Sequence, residues 1–380
     1  MQSAPPTRSI PQIVPYFDER EKAAVLQTIE EGWITEGRQS AAFVEALKQI
    51  IGVPFGVLAP NGTLALSLGL MALGIGPGDE VLVPDTTFIG SANAVLMVGA
   101  TPVFVDVEPD TFQIDMNQAG QYLSSHTRAI MPVHLYGTAC NMQVISEFAH
   151  QHNLLVIEDA AQGMGVCYAD RHVGSFGDVG CFSFFADKTI TTGEGGFVAC
   201  RDERVFERLC LLRNQGRIER GSFVHPAVGF NFRMTDMQAA IGLVQLNKLA
   251  HIIERKQLCW QAYADGLSGL TEVRLLGPAP NSTHVPFRCV LIAERATQLQ
   301  HALEQAGVQI RSFFFPLHRQ PCFLKANVQF GAVWSLADAA YPNANYGFEH
   351  GLCLPLYPAL TLDDVAYMTH QVREFYQTPA

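Results

Sequence analysis

The chain has 380 residues, of which 48% are apolar and 16% are charged. This balance excludes a mostly disordered chain and predicts a large buried core. At about 150 residues per domain, the length predicts two domains. Lysine and arginine total 25 against 36 aspartate and glutamate, a net charge of −11 without a basic cluster, which argues against nucleic-acid binding.

The cysteines and the N-terminus predict a reduced, cytoplasmic protein. None of the nine cysteines forms a C-x-x-C pair, so no metal or redox site is expected. The first residues, MQSAPPTRSIPQIVP, lack the apolar core of a signal peptide. The uncharged stretches 51–78 and 86–105 contain proline, glycine and polar residues and hold fewer than about 18 consecutive apolar residues. We therefore interpret them as buried core and expect no membrane association.

The first half of the chain has the pattern of an α/β fold. A first helix is predicted over 18–31, with Asp18 as N-cap and Gly32 past its end. From about residue 55, β-rich runs alternate with helical runs. The predicted strands are 80–84, 101–107, 129–134 and 154–158, and the predicted helices are 63–73, 91–98, 115–123 and 143–152. This alternation favours a mostly parallel sheet that is covered on both faces.

The second half predicts an extension of that sheet and then a smaller domain. The runs 179–185 and 195–200 flank a glycine- and threonine-rich turn and are interpreted as a hairpin-like addition. Thr235 and Gln238 form a capping box that opens a long helix toward Trp260. We place the domain boundary on this helix, with a large domain over 1–250 and a small α+β domain over 251–380. The small domain is predicted to contain strands at 285–292 and 309–315, a helix at 296–306 and a closing helix from 361.

Lys188 is the first candidate for chemistry. It lies in FSFFADKTITTGEGG, after an apolar strand and before a glycine-rich turn, and no other lysine occurs between Lys48 and Lys248. One interpretation is an ordinary surface lysine. The other is a Schiff-base lysine, because an amine whose pKa is lowered by its surroundings is the nucleophile that this chemistry needs.

Other candidates follow neighbouring strands. Asp159 ends LLVIEDA, where it could cap the following turn or pair with a pyridinium nitrogen and keep a cofactor ring protonated. Asn61, Gly62 and Thr63 precede a helix, so their segment is either a simple cap or an anion site. Ser183 could add a hydroxyl to the same anion. Ligands of open parallel sheets bind outside the carboxyl ends of the strands, so these side chains are expected to share one cleft.

Motifs of several other enzyme classes are absent. The pieces GIGPGDE and TTGEGG match neither G-x-G-x-x-G nor a P-loop, which argues against nicotinamide binding and nucleotide hydrolysis. The sequence also lacks H-E-x-x-H and G-x-S-x-G. A Cys–His hydrolase built from Cys181 and His134 is conceivable, but a buried core cysteine explains Cys181 more simply.

Taken in order, the motifs resemble those of the DegT/DnrJ/EryC1/StrS family of sugar-nucleotide aminotransferases, which use pyridoxal phosphate (PLP). The matching segments are NGTLAL, GIGPGDEVLVPDTTFIGSANAV, ATPVFVDV, AIMPVHLYG, VIEDAAQ, FSFFADKTITTGEGG and GFNFRMTDMQAAIGLVQL. The resemblance runs from about residue 32 to the C-terminus. It implies the fold type I, aspartate-aminotransferase-like architecture and a homodimer with shared active sites.

The resemblance also implies roles for individual residues. Lys188 would form the Schiff base and later transfer protons, while Asp159 would bind the pyridine nitrogen. Gln162 would lie near the ring hydroxyl and Phe88 on the ring face. The phosphate would be held by Gly62, Thr63, Ser183 and, from the neighbouring subunit, Asn231. An amino donor, with L-glutamate expected, would convert PLP to pyridoxamine phosphate, whose amine then passes to a keto sugar. Relatives with histidine in place of the lysine perform dehydration, so Lys188 favours transamination.

Within the family, SFFADKTITTGEGG and RSFFFPLHRQPCF are most similar to the GDP-perosamine synthases. Those enzymes aminate C4 of GDP-4-keto-6-deoxymannose. The candidate sugar-nucleotide contacts are Arg311, Phe314 and His318, although the phenylalanine run could equally be a core strand. Leu64, the pair Gln162–Gly163 and the segment GWITEGR depart from the usual pattern of that group. Two alternatives therefore stay open: a UDP- or dTDP-linked keto sugar aminated at C4 or C3, and a non-catalytic PLP-binding regulatory protein.

Overall fold

The structure, a computed structural model, describes residues 8–218, 221, 223–324 and 337–377. Its largest element is a seven-stranded sheet, accompanied by a two-stranded ribbon. In chain order the strands are β1 (Phe55–Ala59), β2 (Glu80–Pro84), β3 (Thr101–Val105), β4 (Thr127–Ile130), β5 (Leu155–Asp159), β6 (Cys167–Tyr168), β7 (Arg171–His172), β8 (Val179–Ser183) and β9 (Gly196–Cys200). The ribbon consists of β6 and β7.

The large sheet has the strand order β1-β9-β8-β5-β4-β2-β3. Strand β9 pairs antiparallel with both neighbours, and the other pairings are parallel. The predicted 179–185/195–200 hairpin is therefore present, but β8 is a central strand of the parallel sheet. β9 folds back into the space beside β1. The strands are nearly continuous apolar runs because both faces are covered.

Helices cover the sheet on both sides. The helices of this half are α1 (Glu19–Glu30), α2 (Arg38–Ile51), α3 (Gly62–Leu73), α4 (Gly90–Met97), α5 (Met116–Ala119), α6 (Met142–His152), α7 (Glu203–Arg213), α8 (Asp236–Asn247) and α9 (Leu249–Leu267). The predicted first helix is confirmed, with Asp18 and Glu21 forming a capping box. The predicted helix over 115–123 is correct only in part, since α5 passes into a 3-10 turn at Gly120–Tyr122.

Helix α2 was missed because its cap is distant in sequence. Its N-cap, Gly37, has no side chain to accept a hydrogen bond. The carboxylate of Asp236, at the start of α8, accepts instead from the backbone N–H groups of Gly37 and Ser40, at 2.7 and 2.9 Å. A capping carboxylate 199 residues away leaves no local sequence signal.

The long helix predicted toward Trp260 is divided at Lys248. The capping box of Thr235 and Gln238 opens α8 as predicted, but α8 ends at Asn247 and α9 begins at Leu249. Lys248 is 3% exposed and forms ion pairs with Glu21 and, at 3.4 Å, with Asp18. Lys248 therefore links the junction of α8 and α9 to the start of α1.

A second, antiparallel sheet follows α9, with the order β10-β11-β13-β12. Its strands are β10 (Val273–Leu275), β11 (Cys289–Ala293), β12 (Arg311–Ser312) and β13 (Gly351–Leu354), and its helices are α10 (Ala296–Gln305), α11 (Pro342–His350) and α12 (Leu362–Gln377). The predicted strand over 309–315 was too long. After β12 the chain leaves this sheet and reaches the large one, where Leu317 N donates to Asp85 O at 2.9 Å.

The division near residue 250 stays a prediction. The second sheet lies wholly beyond that point. However, one hydrophobic cluster joins Phe104 and Phe112 of the first half to Phe313 and Tyr341 of the second. No helix in the described part of the chain is long and apolar enough to cross a membrane.

Candidate active site

A cavity of about 600 Å³ opens where the parallel strands end. Asp159 and Ser183 are the last residues of β5 and β8, and Gly62 begins the helix that follows β1. Among its lining residues are nine of the predicted site residues: Gly62, Thr63, Phe88, Asp159, Gln162, Ser183, Lys188, Arg311 and Phe314. The structure therefore brings together residues that are up to 252 positions apart, as the strand-end argument predicted.

Asp159 is buried without a cationic hydrogen-bond partner. Its Oδ2 accepts a 2.7 Å bond from Ser91 Oγ, and its Oδ1 accepts from Ala161 N at 3.1 Å. Burial raises the pKa of this carboxyl, while the Ser91 hydroxyl and the charge of Lys188 lower it. A desolvated carboxylate of this kind gains stability from a protonated ring nitrogen placed beside it.

Lys188 lines the same cavity. Its side chain is 15% exposed, and Nζ is 3.7 Å from Asp187 Oδ1. Nζ also lies 4.5 Å from the centre of the Phe287 ring. Burial lowers the pKa of Lys188, although the charges of Asp187 and Asp159 act in the opposite direction. A lowered pKa increases the neutral fraction of the amine, which is the nucleophilic form.

The start of α3 forms a cradle for an anion. Asn61 caps the helix by accepting from Leu64 N at 2.9 Å, which leaves the N–H groups of the first turn available. Gly62 packs against Ser183, where an added Cβ would lie 2.8 Å from Ser183 Cβ. A phosphate at this point would meet backbone N–H groups and the hydroxyls of Thr63 and Ser183, which line the same cavity.

Gly62→Ala is expected to weaken PLP binding by at least about tenfold, because the new methyl group pushes α3 away from Ser183. The dissociation constant is measured by fluorescence titration of the cofactor-free protein. Gly120→Ala is the matched control, since a Cβ there meets no atom within 4 Å. Equal affinity of the Gly62→Ala and wild-type proteins would contradict a phosphate site at this helix.

These groups fit PLP. The cavity offers an anion cradle at a helix N-terminus, a buried carboxylate and an amine of lowered pKa on its walls. These are the donor types that a phosphate, a pyridinium nitrogen and an aldehyde require. Two further residues complete the pocket. Gln162 Oε1 accepts a 2.7 Å bond from Tyr136 N, which fixes its amide, and Phe88 is 58% exposed beside the cavity.

Of the three predicted substrate residues, two line the cavity. The Arg311 side chain is 52% exposed, and the Phe314 ring stacks on Tyr136 with 5.5 Å between centroids. His318 does not reach the lining. It is 1% exposed, and its Nδ1 and Nε2 lie 2.7 Å from Asp85 and 3.0 Å from Asp338. Despite burial, these carboxylates raise the pKa of His318, so it ties the segment after β12 to the large sheet.

Asn231 also lies outside the cavity of its own chain. It is exposed and forms a β-bridge with Asn214. This position neither supports nor contradicts a contact with a neighbouring subunit, and the role of Asn231 stays a prediction.

The sequence analysis missed the charged residues around Lys188. Arg288 lines the cavity, is 8% exposed and donates to Asp187 Oδ2 at 2.6 Å. Lys256, on α9, is 3% exposed with Nζ 5.7 Å from the centre of the Phe287 ring. Burial and the charge of Arg288 lower the pKa of Lys256 to about 7. Arg288 gave one sequence signal, since it lies in the apolar run VPFRCVLIA, whereas Lys256 lies in the polar run ERKQ and gave none.

Lys256→Met is expected to stabilise the cofactor-free protein at pH 7 by about 2–4 kcal/mol, because one pKa unit corresponds to about 1.4 kcal/mol. Between pH 7 and 10 the folded lysine binds fewer protons than the unfolded one, so its destabilising effect disappears as the pH rises. The free energy of unfolding in urea should therefore differ between variant and wild type at pH 7 and converge toward pH 10. Lys22→Met, at a 71% exposed site, is the control. An equal gain at both pH values would show that packing dominates.

The comparison with known families identifies the chain. Residues 15–373 match the DegT/DnrJ/EryC1/StrS aminotransferase family. The chain belongs to this family. It is accordingly a PLP-dependent sugar aminotransferase, which confirms the predicted family, enzyme class and cofactor.

The names of three curated relatives of this DegT-family chain refer to two kinds of sugar nucleotide, one GDP-linked and one UDP-linked. GDP-perosamine synthase of Escherichia coli O157:H7 is 35% identical over 97% of this chain and 98% of its own length. GDP-perosamine synthase of Caulobacter vibrioides is 42% identical over 81% and 85%. The UDP-N-acetyl-3-dehydro-alpha-D-glucosamine 3-aminotransferase of Acidithiobacillus ferrooxidans is 37% identical over 89% and 88%.

A solved structure confirms the predicted fold of the DegT-family chain. The PLP form of Spr1654, a putative sugar aminotransferase from Streptococcus pneumoniae, superposes with a TM-score of 0.90 at 26% identity. The match covers 97% of this chain and 99% of that protein.

Proposed function

We propose that this sugar aminotransferase transfers an amino group from L-glutamate to C4 of GDP-4-keto-6-deoxymannose and releases GDP-perosamine. The observation that carries the proposal is the similarity to two GDP-perosamine synthases, which extends over 97% and 81% of the chain. The motifs around Lys188 and Arg311 point to the same group. The product would serve polysaccharide biosynthesis, such as that of an O-antigen, in the cytoplasm.

Six residues of the cavity would hold PLP. The phosphate would be bound by Gly62 and Thr63 at the start of α3 and by Ser183 at the end of β8. Asp159 would hold the ring nitrogen, Gln162 would face the ring hydroxyl and Phe88 would cover the ring. When bound, PLP supplies the electron sink that stabilises a carbanion at the substrate carbon.

Lys188 would perform the proton transfers. Its Nζ would take the proton from Cα of glutamate and later deliver a proton to the sugar carbon that receives the amino group. Its lowered pKa suits both steps, because an acid–base group works best when its pKa is near the operating pH.

Arg311 and Phe314 would bind the sugar nucleotide at the mouth of the cavity. The chain is acidic overall, so a diphosphate must be held by local cations, and the half-exposed Arg311 is one. Direct contact by His318 remains a prediction that its burial does not favour. Its bonds to Asp85 and Asp338 would instead fix the segment that carries Phe314.

A homodimer is part of the proposal. Large apolar side chains are exposed between α7 and Asn231: Ile218, Phe223, Val224 and Val228 are at least 75% exposed. A concentration of exposed apolar side chains in one segment favours an interaction site. The family resemblance puts Asn231, which follows this segment, at the phosphate of the neighbouring subunit, so we propose a second copy of the chain as the partner that covers these side chains.

The second candidate is a UDP-linked 3-keto sugar. The similarity to the Acidithiobacillus ferrooxidans 3-aminotransferase, at 37% identity over 89% of this chain, favours it. The two candidates differ in the nucleotide and in the carbon that is aminated, and both use the same cofactor chemistry.

The test is to convert the PLP-loaded protein with L-glutamate and to follow the cofactor absorbance as sugars are added. The sugars are GDP-4-keto-6-deoxymannose, the dTDP- and UDP-linked 4-keto sugars and the UDP-linked 3-keto sugar. We expect the original spectrum to return with the GDP-linked sugar only. If the spectrum recovers with another sugar alone, that sugar is the substrate. If the spectrum does not change with glutamate, the proposal that L-glutamate is the amino donor is wrong.

A further inference from the structure

Asp187 has one bound and one unbound carboxylate oxygen beside Lys188. Oδ2 accepts a 2.6 Å hydrogen bond from Arg288 Nη2 and lies 3.6 Å from Arg311 Nη1. Oδ1 is buried, and no hydrogen-bond partner for it exists among the described residues. Lys188 Nζ, at 3.7 Å, is just beyond hydrogen-bond reach. A buried acceptor without a donor costs about 1–3 kcal/mol, so the position calls for an explanation.

Cations outnumber carboxylates around this point. The groups come from the end of β5, the Asp187–Lys188 turn, the approach to β11, β12 and α9: Asp159, Asp187, Lys188, Arg288, Arg311 and Lys256. Three of the cations flank one ring, since Lys188 Nζ, Arg288 Cζ and Lys256 Nζ lie 4.5, 4.7 and 5.7 Å from the centre of Phe287. Among the described residues, Asp187 is the carboxylate within 4 Å of Lys188, Arg288 and Arg311.

We propose that Asp187 is a positioning residue for Lys188, whose ammonium group it receives on Oδ1 whenever the amine is not attached to the cofactor. Arg288 holds the carboxylate in place through Oδ2. Closing the 3.7 Å gap to an ordinary N–H···O distance requires a movement of less than about 1 Å. An amine that leaves and returns in each cycle needs a fixed resting position. This inference rests on the role proposed for Lys188.

The charges predict opposite effects of two substitutions. The charge of Asp187 raises the pKa of Lys188 against the effect of burial, and that of Arg288 lowers it. Asp187→Asn keeps the shape of the side chain and should therefore lower the pKa of Lys188. Arg288→Gln should raise it, because it removes a cation and releases the Asp187 carboxylate. A purely structural role for Asp187 would not produce shifts of opposite sign.

The experiment measures the pKa of Lys188 in the cofactor-free protein. Acetic anhydride labels neutral amines, and mass spectrometry of the Lys188 peptide gives the labelled fraction as a function of pH. We expect Asp187→Asn to move the midpoint down by about one unit, which is about a tenfold increase in labelling below the midpoint, and Arg288→Gln to move it up. Asp110→Asn makes the same change at an 87% exposed site and should have no effect.

The PLP-loaded protein supplies a second readout. The pH midpoint of its absorbance change should move down in Asp187→Asn and up in Arg288→Gln. Unchanged labelling midpoints in the cofactor-free protein, or labelling shifts of the same sign, would overturn the proposal. If Asp187→Asn fails to fold, an upward shift in Arg288→Gln still supports it and no shift refutes it. No sugar is present in either measurement, so the result is independent of the proposed substrate.

Discussion

Lys188→Ala is expected to reduce turnover at least about 10⁴-fold, because the variant loses both the amine that binds the cofactor covalently and the group that moves protons. Two measurements follow the loss: amination of the keto sugar in a single turnover, and borohydride reduction of the PLP-loaded protein followed by mass spectrometry. The wild-type protein should carry the reduced cofactor on the Lys188 peptide, and the variant should carry none.

The fold should survive this change. Lys188 is a mostly buried amine whose pKa is lowered by burial, so its removal relieves a desolvation penalty that offsets the packing lost with the side chain, and the cofactor-free variant should still unfold cooperatively in urea. Lys22→Ala, at a 71% exposed surface site, provides the control for loss of a lysine. Wild-type turnover in Lys188→Ala would remove Lys188 from the mechanism.

Asp159→Asn is expected to slow turnover by about 10²- to 10⁴-fold while the protein still binds PLP. An amide cannot balance a positive ring nitrogen, so the ring would lose its proton and its capacity to accept electrons. Pre-steady-state absorbance after mixing with glutamate measures the loss directly, because the proton transfer from glutamate should become the slow step.

Asp159→Asn should lower turnover but increase the stability of the cofactor-free protein. Burial raises the pKa of Asp159, so ionisation destabilises the folded cofactor-free protein at any pH above that raised value. The neutral amide avoids this penalty, and Asp159→Asn should unfold at a higher urea concentration at pH 7. Asp202→Asn, at the N-cap of α7, is the matched control, since asparagine caps a helix as well as aspartate does. If both variants turn over at the wild-type rate, Asp159 is only a cap.

Local sequence was sufficient for the centre of the site. The apolar runs that end at Asp159 and at Ser183 predict buried parallel strands, and a parallel sheet gathers its strand ends at one edge. Asn61, Gly62 and Thr63 follow another strand in the same way. The motifs around them resemble the DegT family strongly enough to predict the fold, the enzyme class and PLP.

Long-range contacts determined what the sequence analysis missed. Helix α2 depends on a cap from Asp236, and the predicted strand over 309–315 is shortened because the chain crosses to Asp85 on the large sheet. The burial of His318 between Asp85 and Asp338 follows from the same crossing. In each case the partner lies far along the chain, so neither residue by itself reveals the contact.

The sequence by itself therefore determined the α/β architecture, the family and the placement of Lys188 and Asp159, because strand periodicity and short motifs act over a few residues. Only the tertiary structure showed which charged groups surround Lys188 and shift its pKa. Asp187 adjoins it in sequence, but Arg288 and Lys256 approach from the other half of the chain. Burial and Coulomb interactions depend on distances in space, and those distances exist only after the two sheets have packed together.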